Sequence, residues 1–408
     1  MAKAHGRYVH EPFLFGLVLM KGKTMGRKRL GQSDTKQKKR NLTPETSKRK
    51  KGSKPHVNRQ ELVRALTIAN IALQSTLSNT PYFNFSNDEI GAVGDARRVV
   101  VPFHTGINAT VLGEKLLKVL KESAAEEVVL SIQNNNLVVI EKGSKNKFGT
   151  RLVAQEEMER VVGALSIFDK QKIQMSLPED FGMGLFLCLF STSKDPVLGP
   201  LCGVCVDCTR KVHTASSTDD HRVSEYQFKK PLQLVEERFV LSAKAIRNMA
   251  GIVDLVKYDV VDEWVLFLTE ENAKVALAPI ALGEDFPNVS KVFRGKSSDI
   301  VVKFPNVQHA IKKAGLIVDV KKELEREIFL SFKKDELVIK AEHPETGWIE
   351  ESVEFDNTSG VMFDMKVNPV FLETILKHAM TMYYIEGMHQ VIFETKNYKH
   401  LMVLPAMQ

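Results

Sequence analysis

The sequence predicts an α+β fold built from three similar units, and three observations carry that expectation. A β-hairpin pattern recurs: β-rich runs joined by a polar turn stand at 127–140, 263–280 and 391–404. Each copy follows a helical segment bearing lysine or arginine, at 112–122, 242–254 and 369–380. The copies lie more than a hundred residues apart. Such a long interval means repeated domains and excludes a solenoid of short repeats.

Size and charge set the frame. At 408 residues the chain can bury two to four cores, and its 43% hydrophobic and 26% charged residues are ordinary for a globular protein. The net charge of +7 is unevenly placed: residues 1–56 hold 16 Lys+Arg against 3 Asp+Glu, and the remainder holds 41 against 47. An acidic body cannot coat nucleic acid over its whole surface, so contact must come from the tail or a local basic face. Four cysteines are too few for an extracellular disulfide framework in so long a chain. No apolar run reaches membrane-spanning length. The stretch 12–20 is apolar, but no small-residue cleavage site follows it, and Met25 is an equally good translation start. Residues 21–56 offer almost nothing to bury and are expected to be a disordered basic tail, read as a phosphate-binding arm or a localisation tag.

Order is expected from Val57. Asn58 is a plausible helix N-cap, followed by an apolar face of Leu62, Leu66, Ala69 and Leu73, with Arg59 and Arg64 on the polar side. Strand-like runs follow at 82–85 and 98–103. In the next helix, Lys115, Lys118 and Lys121 fall at a spacing of three, opposite Leu116, Leu117 and Leu120. The first unit is set at 57–168. The second, 169–297, opens on an apolar helix over 179–190. It continues with strand-like runs at 201–206 and 211–216, a strand near 226–228, a helix carrying Lys244 and Arg247, and the second hairpin. Asp285-Phe-Pro-Asn288 reads as a linker turn. The third, 298–408, has a helix over 306–317 with Lys312 and Lys313 turned away from Val307, Ala310 and Ala314. A hairpin at 328–339, a strand at 352–355, a helix opened by Asn368-Pro369 and carrying Lys377, and the closing hairpin follow.

These residues resemble the bacterial DNA polymerase III sliding clamp, its beta subunit, over about 57–408. The likeness rests on Thr218-Asp-Asp-His-Arg222, Asp285-Phe-Pro287, Val367-Asn368 with Phe371, and the ending Val403-Leu-Pro-Ala406; Gly203 precedes Thr218 at the family's spacing. The resemblance implies three clamp domains per subunit, each with two helices packed on antiparallel sheets, forming half of a closed ring. The ring is a head-to-tail homodimer around double-stranded DNA, helices inside and sheets outside. It implies a processivity factor and not an enzyme, with no cofactor, in the bacterial or phage-infected cytoplasm at the nucleoid. DNA polymerase and clamp loader are the implied partners, held without regard to DNA sequence. Under it, Arg64, Lys115, Lys118, Lys121, Lys244, Arg247, Lys312, Lys313 and Lys377 line the hole. A groove for partner peptides comprises Leu201, Thr218, His221, Arg222, Val223, Pro287, Lys291, Val292, Asn368, Phe371, Met402, Val403, Leu404, Pro405 and Ala406, and Leu316 with Ile317 stand at the dimer interface. The alternative is a clamp-fold adaptor that recruits transcription or recombination factors.

The chain also departs from the family pattern. Asp220 replaces a glycine, Met407 replaces a basic residue, residues 179–190 lack Lys and Arg, and the tail is additional. These departures suggest a divergent phage or viral member. Cys202, Cys205 and Cys208, with Cys188 or His213, have the look of a zinc motif. A strand alternates its side chains, however, so Cys205 faces away from the other two and no metal is expected. The Asp219-Asp220-His221 run as a nuclease metal cluster is disfavoured because neighbours on one turn rarely share an ion.

Overall fold

The structure, a computed structural model, describes residues 56–74, 82–169, 172–232, 237–282, 285–293, 300–319, 325–357, 359–385 and 389–405. The tail, Ala406 and Met407 lie outside the described residues. The chain begins with β1 (His56–Asn58) and α1 (Arg59–Leu73). Asn58 caps that helix, its Oδ1 accepting from the backbone N–H of Gln60 at 2.9 Å and Glu61 at 3.1 Å. Next come β2 (Tyr82–Ser86), β3 (Glu89–Val93), β4 (Arg97–Pro102) and β5 (Asn108–Leu112). They lead to α2 (Gly113–Glu122), then β6 (Glu127–Gln133), β7 (Asn136–Glu141) and β8 (Lys147–Arg151). The β6–β7 turn places Asn134 and Asn135 at φ of 47° and 59°, the left-handed pair that a two-residue hairpin turn requires.

The same order follows twice more. After α3 (Gln155–Leu165) come β9 (Met175–Ser176), α4 (Phe181–Cys188), β10 (Gly203–Asp207), β11 (Thr214–Thr218), β12 (Arg222–Gln227) and β13 (Arg238–Ser242). Then α5 (Ala243–Met249) leads to β14 (Leu255–Val261), β15 (Trp264–Thr269) and β16 (Lys274–Leu277). Past the short β17 (Ala281–Leu282) come β18 (Ile300–Lys303), α6 (Gln308–Ile317), β19 (Ile328–Phe332), β20 (Glu336–His343), β21 (Gly347–Glu354) and β22 (Phe363–Val367). The chain closes with α7 (Pro369–Leu376), β23 (Thr381–Ile385), β24 (Gln390–Glu394) and β25 (Tyr398–Val403). Strand, helix, four strands, helix, three strands thus recurs three times. Residues 179–190 begin as an α-helix and tighten into a 3-10 turn at Leu189–Ser191, and the α5 helix is shorter than its sequence pattern.

Pairing repeats with the order. The first strand of each unit joins the last three (β1-β6-β7-β8, β9-β14-β15-β16, β18-β23-β24-β25), and the middle four run fourth-first-second-third. The units are then sewn together by one rule: the third middle strand of one pairs antiparallel with the last strand of the next, β4 with β16 and β12 with β25. This makes the eight- and nine-stranded sheets, and leaves β8 and β21 each paired on one side among the described residues.

Six of the described helices cover one side of these sheets; α3 packs against β2, β3 and β4 with its Leu165 in the cluster on the other side. α1 touches α2 and α5, α5 touches α4, and α6 touches α7. Between α4 and α7, His378 meets Phe186 and Phe190 with ring centroids 6.2 and 5.3 Å away. The helices therefore form one continuous layer, α2-α1-α5-α4-α7-α6, and the main core lies between it and the sheets. Segments joining the units pack on the opposite sheet face. Ile167 and Phe168 sit over Val100, Leu266 and Ala276 at the β4–β16 seam. Phe286 and Val289 sit over Val223 and Leu401 at the β12–β25 seam.

Candidate nucleic-acid interface and partner groove

All nine cations expected to line a hole lie on or beside the helix layer, but their settings differ. Lys115, Lys118 and Lys121 are exposed along α2, as is Lys312 on α6. Arg64 is held by Glu271 (Nε to Oε1 3.1 Å) and also donates to the Ile252 carbonyl at 2.6 Å. Arg247 donates to Thr192 Oγ1 at 3.1 Å, and Lys244 is half-buried. Lys313 pairs with Glu351 of β21 at 2.5 Å, and Lys377 with Glu373 one helical turn back at 3.1 Å. The α4 surface has no cation; Met183 and Phe186 are its exposed side chains. The most exposed of these cations are thus on α2 and α6, at the two ends of the layer.

The expected groove residues meet at the β12–β25 seam, on two faces of one sheet. Arg222 stands opposite Met402 and Val223 opposite Leu401, and the Val403 N–H donates to the His221 carbonyl at 2.9 Å. Strand alternation then sorts the side chains. On the outer face Leu201, Val223, Val292 and Val403 join one apolar cluster around Phe286 and Leu401. On the helix-layer face Met402, Leu404 and Phe371 belong to the main core, with Met402 fully buried. Arg222 lies on that face too, its guanidinium 3.7 Å from the Phe371 ring centroid, a cation–π contact.

The turn that carries Arg222 is built by Asp219. One carboxylate oxygen accepts from the Arg222 N–H at 2.8 Å and the His221 N–H at 3.2 Å, and the other from Arg222 Nε at 3.0 Å. Thr218 Oγ1 donates to the Arg222 carbonyl at 2.9 Å. Asp220 takes φ of 71°, so the aspartate adopts the left-handed conformation that a glycine would supply. Asn368 Oδ1 caps α7 by accepting from Val370 and Phe371 N–H, which fixes Phe371 under Arg222. Pro287 and Val292 are half-buried and Lys291 exposed, on the segment anchored by Phe286; Pro405 is half-buried beyond β25.

Residues 293–399 match the family model for the DNA polymerase III beta subunit, C-terminal domain. No curated protein sequence matches the chain. Among solved structures, the DNA polymerase sliding clamp from Bacillus subtilis superposes with a TM-score of 0.69 at 15% identity, covering 86% of this chain and 99% of that one. The fold is that of the DNA polymerase III sliding clamp. The beta subunit of the Streptococcus pyogenes polymerase (TM-score 0.70, 14% identity) is as similar over the same shares of the two chains. So is the Pseudomonas aeruginosa sliding clamp, bound to griselimycin (TM-score 0.69, 14% identity).

Within this clamp fold, a buried polar set lies at the β12–β25 seam. His400 is fully buried beside Ser224, its cross-strand partner, with Nδ1 2.9 Å from Ser224 Oγ and 3.3 Å from Tyr398 Oη. Burial, reinforced by the Arg222 charge, pushes its pKa down to about 3, so the imidazole is neutral. The cysteines have separate surroundings: Cys205 lies in the outer cluster, Cys208 in the main core, and the Cys202 thiol donates to the Asp195 carbonyl at 2.9 Å. Burial pushes the thiols of Cys205 up to about 11 and Cys208 up to about 12, which keeps both protonated. Sequence reading passed over Phe286 as an anchor and Leu401 as the buried centre of the outer cluster. The alternation of 398–403 contained the signal for Leu401, since it shares a face with Val403. Arg238 was also missed: it donates to the Phe286 carbonyl at 3.0 Å and ties the joining segment to β13.

Proposed function

We propose that this chain is a DNA sliding clamp, a polymerase processivity factor that closes as a head-to-tail homodimer around duplex DNA. Its units are 57–168, 169–297 and 298–408, and it binds partner peptides at the β12–β25 seam. The observation that carries the reading is the sewing rule. Applied once more, it pairs β21 of one copy with β8 of another, and the two free edges are complementary. β8 presents Lys147 and Arg151 on its exposed face, and β21 presents Trp348, Glu350 and Glu354 on its own. Glu350 already faces Lys340 at 2.8 Å, so Glu354 is the acid with more charge to offer. Leu316, 66% exposed at the end of α6, is the apolar knob for that seam. A recess lined by Val119, Leu120 and Phe148 beside β8 is the place to receive it. A closed ring holds DNA by topology, so the acidic body is no obstacle: a few lysines supply sequence-independent attraction to phosphates. The outer apolar cluster of Leu201, Val223, Val292 and Val403 suits a short hydrophobic peptide from a polymerase or loader.

The deciding experiment is retention on a nicked circular plasmid. A clamp stays with the circle through gel filtration and is lost after the plasmid is linearised. Equal retention on both forms rejects encirclement.

A further inference from the structure

The first helix of each unit occupies the same place in the repeat but turns different chemistry away from the sheets. α1 exposes Arg64 there and α6 exposes Lys312. α4 buries Phe181, Leu185, Leu187 and Cys188 and exposes Met183, at 54%, and Phe186, at 40%. Its exposed face continues past the helix into Phe190 and across to His378, just beyond α7. The His378 ring lies against Phe190, centroids 5.3 Å apart and planes at 29°, and Phe186 stands edge-on to both. Burial and the neighbouring Lys377 charge lower the pKa of His378, which favours the neutral ring. Cations stand on both sides of this aromatic patch. Arg247 of α5 donates to Thr192 Oγ1 at 3.1 Å, two residues past Phe190. Lys377 precedes His378; it pairs with Glu373 at 3.1 Å while its side chain stays 53% exposed. Glu179, the exposed acid before α4, is about two helical turns from Phe186.

We propose that the Phe186–Phe190–His378 patch holds unpaired bases of single-stranded DNA. The proposal rests on the clamp reading only in placing the patch inside the hole. A duplex presents mainly phosphates and sugars to such a wall, and these cannot cover exposed aromatic rings. Unpaired bases can, and because every base has a π-face the stacking is indifferent to sequence. The flanking cations then attract the phosphates on either side of a stacked base. Rings and positive charge together are the means by which single strands are gripped without sequence preference. A hydrophobic peptide would also cover the rings, but it would gain nothing from Arg247 and Lys377. The seam between α4 and α7 thus gives each chain a place where a strand that has come unpaired is held apart from the duplex.

The test compares full-length wild type with Phe186→Leu, which keeps an apolar side chain at the α4–α7 contact and removes the ring. Anisotropy is read with a labelled thymidine oligonucleotide and with a blunt duplex of the same length. The basic tail is the same in both proteins, so its attraction for either probe cancels. Phe186→Leu is expected to weaken binding of the single strand by roughly 5- to 150-fold, the loss of one base stack, and to leave the duplex unaffected. Equal weakening of both probes, or of neither, overturns the proposal. A second measurement does not depend on the variant's folding. Light-induced cross-linking of wild type to an oligonucleotide carrying 5-iododeoxyuridine is expected to map to Phe186, Phe190 or His378, and cross-links found only elsewhere overturn the proposal. Retention on circular plasmid is read for both proteins. Retention without a single-strand effect leaves the clamp reading standing and removes the base site; a single-strand effect without retention removes the ring and leaves the base site.

Discussion

Replacing Phe286 by alanine separates the joining segment's role in the groove from its role in stability. Phe286 is fully buried on the outer sheet face, packed in one cluster with Cys205, Val223, Val240, Val289, Ile385, Ile392 and Leu401. Its carbonyl is held independently by Arg238, so the segment is not released, but its apolar anchor is gone. Truncating a fully buried phenylalanine costs about 3–5 kcal/mol, transfer and cavity terms together. Phe168→Ala is the matched control: Phe168 is equally an anchor, buried over Val100, Leu266 and Ala276, but at the other seam. Both variants are expected to lose about the same stability in urea unfolding. Phe286→Ala alone is expected to weaken binding of a short hydrophobic peptide from the polymerase, because Pro287 and Val292, on the segment that Phe286 anchors, belong to the proposed groove. Equal loss of binding in both variants, or in neither, refutes the assignment of the groove to this segment.

Other perturbations test other links. Charge reversal by E350K/E354K is expected to weaken self-association about tenfold or more, a cost of roughly 1.4 kcal/mol. Mixing that variant with K147E/R151E joins opposite charges at both seams of the mixed dimer, one in reversed polarity, and is expected to restore association, read by sedimentation; no rescue refutes the β8–β21 pairing. Asn58→Ala removes both cap acceptors of α1 and is expected to cost about 1 kcal/mol in the same unfolding assay. The His400 pKa is lowered from 6.5 to about 3 in the folded chain. The unfolded chain therefore binds the extra proton first. The neutral imidazole's stability is fully present above pH 6.5 and is lost as pH falls toward 3, by about 1.4 kcal/mol per unit. His400→Asn is expected to flatten that part of the stability curve relative to wild type, and an unchanged slope would refute burial of a neutral ring.

The repeated unit was legible because its signals are local. Hairpin alternation, the asparagine turn at 134–135 and the Asn58 cap each depend on residues a few positions apart. The seams were not, since β12 pairs with β25 about 175 residues away and neither strand's pattern names its partner. Strand boundaries slid where a glycine matters: β10 starts at Gly203, where a Cβ would stand 2.5 Å from the Leu241 carbonyl. α3 escaped notice because its face is mostly exposed, with Val161 its one fully buried residue. The proposed groove was read along the chain only as a set of positions that resemble a family. Its division between two sheet faces needs the register of Arg222 with Met402, and that register places Val403 outward and Met402 inward.

The same register logic explains why an open sheet edge in the first and in the last unit need not lead to filaments or random aggregation. Exposed strands are templates for unwanted pairing unless their charges discriminate. Two β21 edges brought together would set Glu350 and Glu354 against like charge, and two β8 edges would do so with Lys147 and Arg151. Only the β8–β21 pairing joins opposite charges, so the wrong combinations are disfavoured by repulsion as much as the right one is favoured by attraction. A head-to-tail contact of this kind gives either an open helix or a closed ring, depending on the rotation between copies. The proposed intermolecular seam copies the strand pairing of the two intramolecular ones, and a ring of two chains is the case in which six such units share one turn. In that case the third seam needs no special interface, because it repeats the strand pairing that the first two already have.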